Sequence, residues 1–439
     1  MTTLDRRGRD QARVAAHAQR GGPAGRMVAA IERRPFATAL AAFCVGWAIL
    51  CAPWLSGTVT IPYDAKAHFQ AQIQFLAHAL ATGQSPFWNP NAFAGQPHIA
   101  DPQSLIFSPA LLLAWLDPTP SFRSFDAYVL GLLAMGGAAT LLLFREMRWS
   151  AAGGVVAALA FAFGASAALR VQHVGQVQSL AFLMTAHWLL ARTFVSGRMR
   201  DGALMGLACA LMIVEPDQVA LLGAYALALH VVWRVLAADA PFAEARRLAA
   251  PVAIGGAVCA SIAGAPLLMT WLFVEATTRS AIPFAEAVRG SLHPASLLTG
   301  LVADLFGAID ARVAYWRPFS DAWGDGDYSL TQNMGQVYIG AAPALAIAAA
   351  GALRRRAWRS DAVFFAVAAL AMLVYALGAH TPLFGVAYDL LPGVSGFRRP
   401  ADATFLLGAY GAVVGGYVLG RLLDGGALAG RRGAWLGGA

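Results

Sequence analysis

The chain has 439 residues, of which 58% are hydrophobic and only 13% are charged, and its mean hydropathy is +0.57. A soluble domain of this length would be about a quarter charged, so the composition excludes a soluble globular protein. The formal net charge of +8 does not indicate nucleic-acid binding, because most positive residues lie in short turns between apolar runs. The four cysteines lack the spacing of a zinc site or a redox pair.

The chain begins with a basic, polar segment, residues 1–35, and continues into repeated apolar runs. The first run has no convincing cleavage site and is interpreted as an uncleaved signal anchor. Each run approaches the roughly 20 residues needed to cross a bilayer and must be helical there, because lipid cannot satisfy backbone polar groups. About ten spans are predicted, near 36–55, 126–144, 152–169, 178–195, 202–216, 218–237, 249–273, 337–353, 361–378 and 403–422.

The arginines predict the orientation of these spans. With the N-terminus in the cytoplasm, 23 of the 32 Lys and Arg residues fall in cytoplasmic segments and turns, which satisfies the positive-inside rule. We therefore expect a polytopic membrane domain over 36–422, with cytoplasmic segments at 1–35 and 423–439. The long segments at about 56–125 and 275–335 lie outside, and loops of that length usually carry function.

The first outer segment contains two apolar stretches that are too short to span a membrane. Between Asp64 and Leu80, apolar residues recur at helical spacing, which predicts a helix lying in the membrane interface. The stretch from Leu105 to Leu116 is expected to lie at the surface as well. Turn-rich sequences separate the two stretches.

Several motifs in the outer segments resemble one family. Asp64 follows the first span, and G-x-x-P-x-W-N-P (83–90), G-x-P (95–97) and A-D-P-Q-S-x-x-x-x-P (100–109) come after it. Together they resemble the first outer loop of YfhO-like bacterial membrane proteins, which are related to the GT-C superfamily of polyprenyl-phosphate-sugar glycosyltransferases. Y-x-G at 338–340 and P-x-x-x-x-F-R-x-P at 392–400 resemble later segments of that family. The chain departs from the pattern at Asp402, where a second arginine is usual, and in having fewer spans.

The resemblance implies an all-α, GT-C-like fold and transfer of a sugar from a lipid phosphate. Such a reaction needs a base for the acceptor hydroxyl and positive charge for the departing phosphate. Asp64 is predicted as the base or acceptor-orienting carboxylate, with a pKa raised by partial burial. A cap of the following helix is the alternative role. Asp101 is the second predicted catalytic carboxylate, with turn formation before Pro102 as its alternative.

Five basic residues are predicted to bind the substrate phosphate. Arg398 and Arg399 lie in the last outer turn and offer planar donor forks, although ion pairs with Asp389 or Asp402 are an alternative. Lys66, Arg170 and His173 are the other three. Lys66 alternatively snorkels toward the interface, and His173 alternatively forms a structural hydrogen bond.

Other outer carboxylates are assigned no catalytic role. Glu215 and Asp217 flank a proline and are expected to be wetted turn residues. Asp321, Asp325 and Asp327 lack the full ligand set of a calcium loop. No metal ligands are assigned, although a divalent cation, Mg²⁺ or Mn²⁺, stays open as a cofactor.

The sequence thus predicts a glycosyltransferase of the bacterial inner membrane, acting on its outer face. Its expected partners are membrane lipids, a polyprenyl-phosphate-linked sugar donor and an envelope glycan or glycolipid acceptor, and not nucleic acid. A transporter or flippase for a lipid-linked glycan is one alternative, although no internal repeat is evident. A non-catalytic envelope-assembly protein of the same fold is another.

Overall fold

The computed structural model describes residues 33–277, 282–307 and 334–424, which form helices and turns without a β-strand. The predicted basic N-terminal segment and tail, and the Asp321–Asp327 segment, lie largely or wholly outside these ranges. The α-helices are α1 (Pro35–Ser56), α2 (Gln70–Thr82), α3 (Ala110–Leu116), α4 (Phe122–Glu146), α5 (Ala151–Phe163), α6 (Ala165–Leu169), α7 (Val174–Ser196), α8 (Met199–Ile213), α9 (Gln218–Leu236), α10 (Pro241–Glu275), α11 (Phe284–Ala287), α12 (Ala341–Ala348), α13 (Ser360–Ala376), α14 (Pro382–Leu390) and α15 (Thr404–Leu423).

Six helical segments in the described ranges are long and apolar enough to cross a membrane. They are α1, α4, α5 with α6, α9, α10, and α15 with the short 3₁₀ turn before it. Helices of this length and apolarity are typical of membrane spans, so they indicate a membrane-embedded protein.

The other four predicted spans are helical but shorter or more polar. α7 is 23 residues long yet carries two glutamines and a histidine, and most of its residues are buried. α8 and α13 have 15 and 17 residues. α12 has only eight, after which the chain continues in 3₁₀ turns near Gly351 and the basic run 354–356. Eight residues of α-helix cover about 12 Å, far less than the predicted span at 337–353.

The centre of the fold is α7. It packs against α4, α8 and α9, while α15 packs against α5, α12 and α13. α1 and α10 lie at the periphery and keep most of their surface uncovered by protein. This arrangement explains the polarity of α7, because a helix that faces protein on all sides can satisfy polar side chains internally.

The helix predicted in the first outer segment is present. A π-helical turn, Ala65–Phe69, leads directly into α2. Its apolar side chains Phe69, Ile73 and Leu76 are at most 3% exposed, so protein and not lipid covers this face. α3 differs, because Leu112, Trp115 and Leu116 are 64–72% exposed.

Long-range contacts sort the connecting segments into two groups. The segments predicted to be outside meet one another, as in the hydrogen bonds from Ser166 to the Gln336 carbonyl and from the Leu292 amide to the Ala376 carbonyl. The predicted cytoplasmic turns also meet, as in the hydrogen bonds from Arg247 to the Phe194 carbonyl and from Trp233 to Ser360. The two groups therefore form opposite ends of one helix bundle.

Candidate functional site

Asp64 lies in the turn after α1, at the end that collects the predicted outer segments. It precedes the π-helical turn but makes no capping hydrogen bond. Its Oδ2 lies 3.3 Å from Nδ1 of His173, and the Asp64 side chain is 57% exposed. The hydrogen bond from His173 lowers the pKa of Asp64, and the positive charge of Arg399 acts in the same direction. The predicted rise in the pKa of Asp64 is therefore wrong, because the hydrogen bond from His173 lowers this pKa more than partial burial raises it.

His173 immediately precedes α7 and is largely buried beside Asp64. Burial lowers the pKa of His173 below its ordinary value of 6.5, so the imidazole is neutral at pH 7. An ionised Asp64 then accepts from the Nδ1–H, which leaves Nε2 with its lone pair. This pairing is the arrangement in which a carboxylate orients a histidine base.

Arg170 is completely buried and its charge is neutralised locally. Its guanidinium lies 2.5 Å from Oδ1 of Asp402 and 3.0 Å from Oε1 of Gln176, and Gln176 donates in turn to Asp402. The guanidinium also stacks over the Phe405 ring. Asp402, the departure from the family pattern, is thus the counterion of Arg170, which lies behind the site rather than in it.

Arg398 and Arg399 face a cavity between the ends of the helices. Arg398 Nη1 lies 3.3 Å from Oε1 of Glu286, and both side chains are partly exposed. This glutamate, and neither Asp389 nor Asp402, is the ion-pair partner of Arg398. Arg399 has a left-handed φ of +69° and its amide donates to the Ala287 carbonyl. The side-chain amide nitrogen of Gln218 donates hydrogen bonds of 3.0 Å to the backbone carbonyl oxygens of Arg398 and Arg399. These bonds fix the backbone of both arginines.

Asp101 forms the turn predicted for it, while its catalytic role stays a prediction. Its Oδ1 accepts from the Gln103 amide at 2.9 Å, which forms a turn, and its Oδ2 is 3.4 Å from the Gln96 side-chain nitrogen. The residue also lines the cavity, together with Pro102. Its carboxylate is therefore both a turn former and a part of the cavity wall.

Lys66 is not brought to the cavity. Its Nζ lies 2.5 Å from Oδ1 of Asp126, a carboxylate that also accepts from the Thr60 hydroxyl and the Ile61 amide. Asp126 is almost fully buried at the start of α4. The lysine thus neutralises a buried charge, and its ammonium group neither snorkels freely nor joins the arginines.

Glu215 and Asp217 contradict the expectation of wetted turn residues. Both line the cavity from the turn between α8 and α9, and Glu215 is only 4% exposed. Asp217 caps α9 through the Ala220 amide and accepts from the Ser179 hydroxyl. Burial raises the pKa of Asp217 to about 7 and that of Glu215 well above its ordinary value. The adjacent apolar helices exclude the water that would reach these two carboxyl groups in an exposed turn.

The cavity has a volume of about 720 Å³ and two kinds of wall. One wall is apolar and comes mainly from α10, through Leu267, Trp271 and Val274. The opposite walls are polar, and their ionisable residues are Asp101, His173, Glu215, Asp217, Arg398, Arg399 and Asp402. A cavity with apolar and charged walls suits a ligand that is itself part lipid and part polar.

The residues do not fit a tightly bound divalent cation. Within the described ranges, no group of three or more His, Cys, Asp or Glu side chains is placed to hold a metal ion. Asp101 and Asp217 already accept hydrogen bonds from the protein. The proposals below therefore use no metal.

Sequence reasoning missed Asp126, Glu215 and the role of Asp402. The signal available for Asp126 and Glu215 was an ionisable residue at the edge of an apolar run, which is costly there unless it is paired or used.

Comparison with protein-family models, curated proteins and solved structures finds no match for the chain.

Proposed function

We propose that the protein is a membrane glycosyltransferase with a GT-C-like fold and about ten spans, as its motifs imply. It lies in a bacterial inner membrane with the N-terminus and the basic turns in the cytoplasm. It transfers a sugar from a polyprenyl-phosphate donor to an envelope glycan or glycolipid on the outer face. The exposed apolar side chains of α3 suit a helix at the membrane interface.

The observation that carries the proposal is the convergence of a paired acid and base and two arginines at one amphiphilic cavity. His173, Arg398 and Arg399 line it, and Asp64 is bonded to His173. Asp64, His173 and the two arginines come from three parts of the chain that are more than 100 positions apart. Their convergence provides proton transfer and phosphate stabilisation together, which are the two requirements of the reaction.

The proposed reaction is a single displacement. The acceptor hydroxyl oxygen forms a bond to the anomeric carbon of the sugar, and the bond from that carbon to the phosphate oxygen breaks. Nε2 of His173 takes the hydroxyl proton, while Asp64 holds the ring and stabilises the resulting imidazolium. The leaving polyprenyl phosphate keeps the electron pair, and its charge is stabilised by Arg398 and Arg399. The polyprenyl chain lies along the apolar wall of α10.

The cavity favours an enzyme over a transporter. A transporter site is expected near the bilayer midplane and accessible from both sides in turn. The ionisable side chains of this cavity come from the connecting segments at one end of the bundle. A site at one end fits a reaction with donor and acceptor on the same face.

The test is transfer of radiolabelled sugar from a panel of undecaprenyl-phosphate-linked hexoses to envelope lipid extract, using the purified full chain in liposomes. Replacing a general base costs about 10²–10⁴-fold in rate, so we expect His173→Ala and Asp64→Asn to fall by at least about 100-fold. Asp389→Asn, an exposed acid on α14, is the matched control and should keep wild-type activity. Full activity in Asp64→Asn would remove this residue from the mechanism.

A further inference from the structure

Glu215 is a buried acid for which the surrounding protein does not supply adequate partners. It is 4% exposed, and neither carboxylate oxygen makes a hydrogen bond of normal geometry to the described residues. The Leu105 backbone amide is near enough to influence the carboxyl group, but it makes no hydrogen bond to either oxygen that meets the usual geometric criteria. Buried polar groups are nearly always bonded, and leaving one unbonded is costly. The residue therefore needs a partner that the protein itself does not provide.

The neighbouring Asp217 shows that the lack of hydrogen-bond partners is not a general property of the turn between α8 and α9. Asp217 is two residues away and lines the same cavity, yet both of its oxygens accept hydrogen bonds, from the Ala220 amide and the Ser179 hydroxyl. The protein thus bonds both oxygens of Asp217 but neither oxygen of Glu215. Its position in the cavity wall makes the missing partner a bound molecule.

We propose that Glu215 is the sugar-recognition residue of the cavity and that its carboxyl group bonds hydroxyl groups of the donor's hexose. This inference rests on the proposed glycosyltransferase function. A carboxylic acid both donates and accepts hydrogen bonds, and so does each sugar hydroxyl. Asp101 and Asp217 lie nearby on the same side of the cavity, and their like charges favour the uncharged form of Glu215.

The position of Glu215 divides the cavity by function. Arg398 and Arg399 bind the phosphate, α10 contacts the lipid chain, and Glu215 recognises the sugar. A site built to bond a hydroxyl rejects ligands that lack it, because its own buried group is then left unpaired. Glu215 should therefore govern preference for the sugar-bearing lipid and leave affinity for the bare lipid phosphate unchanged.

The test compares binding of undecaprenyl phosphate with binding of the same lipid carrying glucose, galactose, mannose or N-acetylglucosamine. The full chain is held in nanodiscs, and affinities are measured for the wild type, Glu215→Gln, Glu215→Leu and the control Glu275→Leu, an exposed glutamate at the end of α10. We expect the wild type to prefer at least one glycosylated lipid by about tenfold or more. The amide of Glu215→Gln mimics an uncharged acid and should keep that preference within about threefold.

Glu215→Leu should bind both lipids equally and should unfold at the same or a higher temperature, since it removes an unbonded buried group. Retention of the sugar preference in Glu215→Leu, or absence of any preference in the wild type, would overturn the inference. Loss of the preference in Glu215→Gln as well would overturn the inference that this residue both donates to and accepts from the sugar, because the amide keeps both capacities. If the wild type binds neither lipid phosphate nor its glycosylated forms, the proposed function itself fails.

Discussion

At the residue scale, the buried charges are held by specific partners, and the Lys66–Asp126 pair is the clearest case. Removing one member of a buried pair leaves an uncompensated charge and costs about 3–5 kcal/mol, whereas exposed pairs contribute little. We expect Asp126→Ala to lower the thermal unfolding midpoint markedly in detergent. The exposed acid Asp424, which pairs with Arg421, gives the control Asp424→Ala with almost no change.

The double variant Lys66→Met/Asp126→Leu distinguishes pairing from a separate need for either residue. Apolar replacement of both charges is often neutral, so much of the lost stability should return. A double variant as unstable as Asp126→Ala would show that Asp126 acts through Thr60 and Ile61 rather than through the lysine.

His173 gives the proposed reaction a defined dependence on pH. Burial lowers its pKa, so the neutral base persists from pH 8 to below pH 6.5 and is lost as the pH falls through the lowered value. The rate of sugar transfer should therefore hold between pH 8 and 6.5 and decline at lower pH. If the rate of sugar transfer fell to half its maximum at a pH above 7 on acidification, the assignment of His173 as the base would be contradicted.

The sequence indicated which residue types belong to the site but not their partners. Asp64 is identified through the motifs that resemble the family, whereas His173, Arg398 and Arg399 are identified because basic residues in outer segments of an apolar chain require an explanation. The pairing of Arg170 with Asp402 joins residues 232 positions apart, and the burial of Glu215 depends on how α10 covers the turn after α8. Neither contact has a local pattern, so neither could be predicted from one sequence.

At the scale of elements, close helix contacts depend on glycines. A Cβ added at Gly206 in α8 would lie 2.1 Å from the Gly255 carbonyl oxygen in α10, and Gly202 meets Pro251 similarly. Spacing of four between small residues is typical of membrane helices that pack closely. Gly206→Ala should push α8 from α10 and lower the unfolding midpoint in detergent.

A glycine in open space is the matched control for this contact. A Cβ at Gly131 in α4 meets nothing within 4 Å, and alanine is the better helix former by up to about 1 kcal/mol. Gly131→Ala should therefore leave the midpoint unchanged or slightly higher. Equal destabilisation by the two substitutions would mean that backbone freedom, and not helix contact, explains the result.

Helix positions were predicted well where an apolar run forms one continuous helix and less well where the helix breaks early. α1 and α10 are largely uncovered by protein, and their apolar runs indicated them directly, although α10 begins at Pro241 rather than near 249. α12 was predicted as a full span but has eight residues. Composition alone does not distinguish an apolar run that crosses lipid from one that packs inside the protein.

At the scale of the whole molecule, the long apolar helices of the described ranges indicate a membrane-embedded protein, while its orientation in the membrane stays a prediction. It can be tested with single cysteines in a background where Cys44, Cys51, Cys209 and Cys259 are alanine. Phe93→Cys, at a position 92% exposed in the first outer segment, should react with a membrane-impermeant maleimide in spheroplasts. Arg200→Cys, exposed at the start of α8, should react only after permeabilisation, and the reverse pattern would invert the topology.

The central claim is that one amphiphilic cavity holds a lipid phosphate against the arginines at the ends of the helices. The most direct measurement is the affinity of the purified protein in nanodiscs for undecaprenyl phosphate and for undecaprenol, which lacks the phosphate. We predict that the phosphate is bound at least about tenfold more tightly, and that Arg398→Gln removes most of this difference. Equal affinity for the two lipids, or a difference unchanged by Arg398→Gln, would contradict the claim.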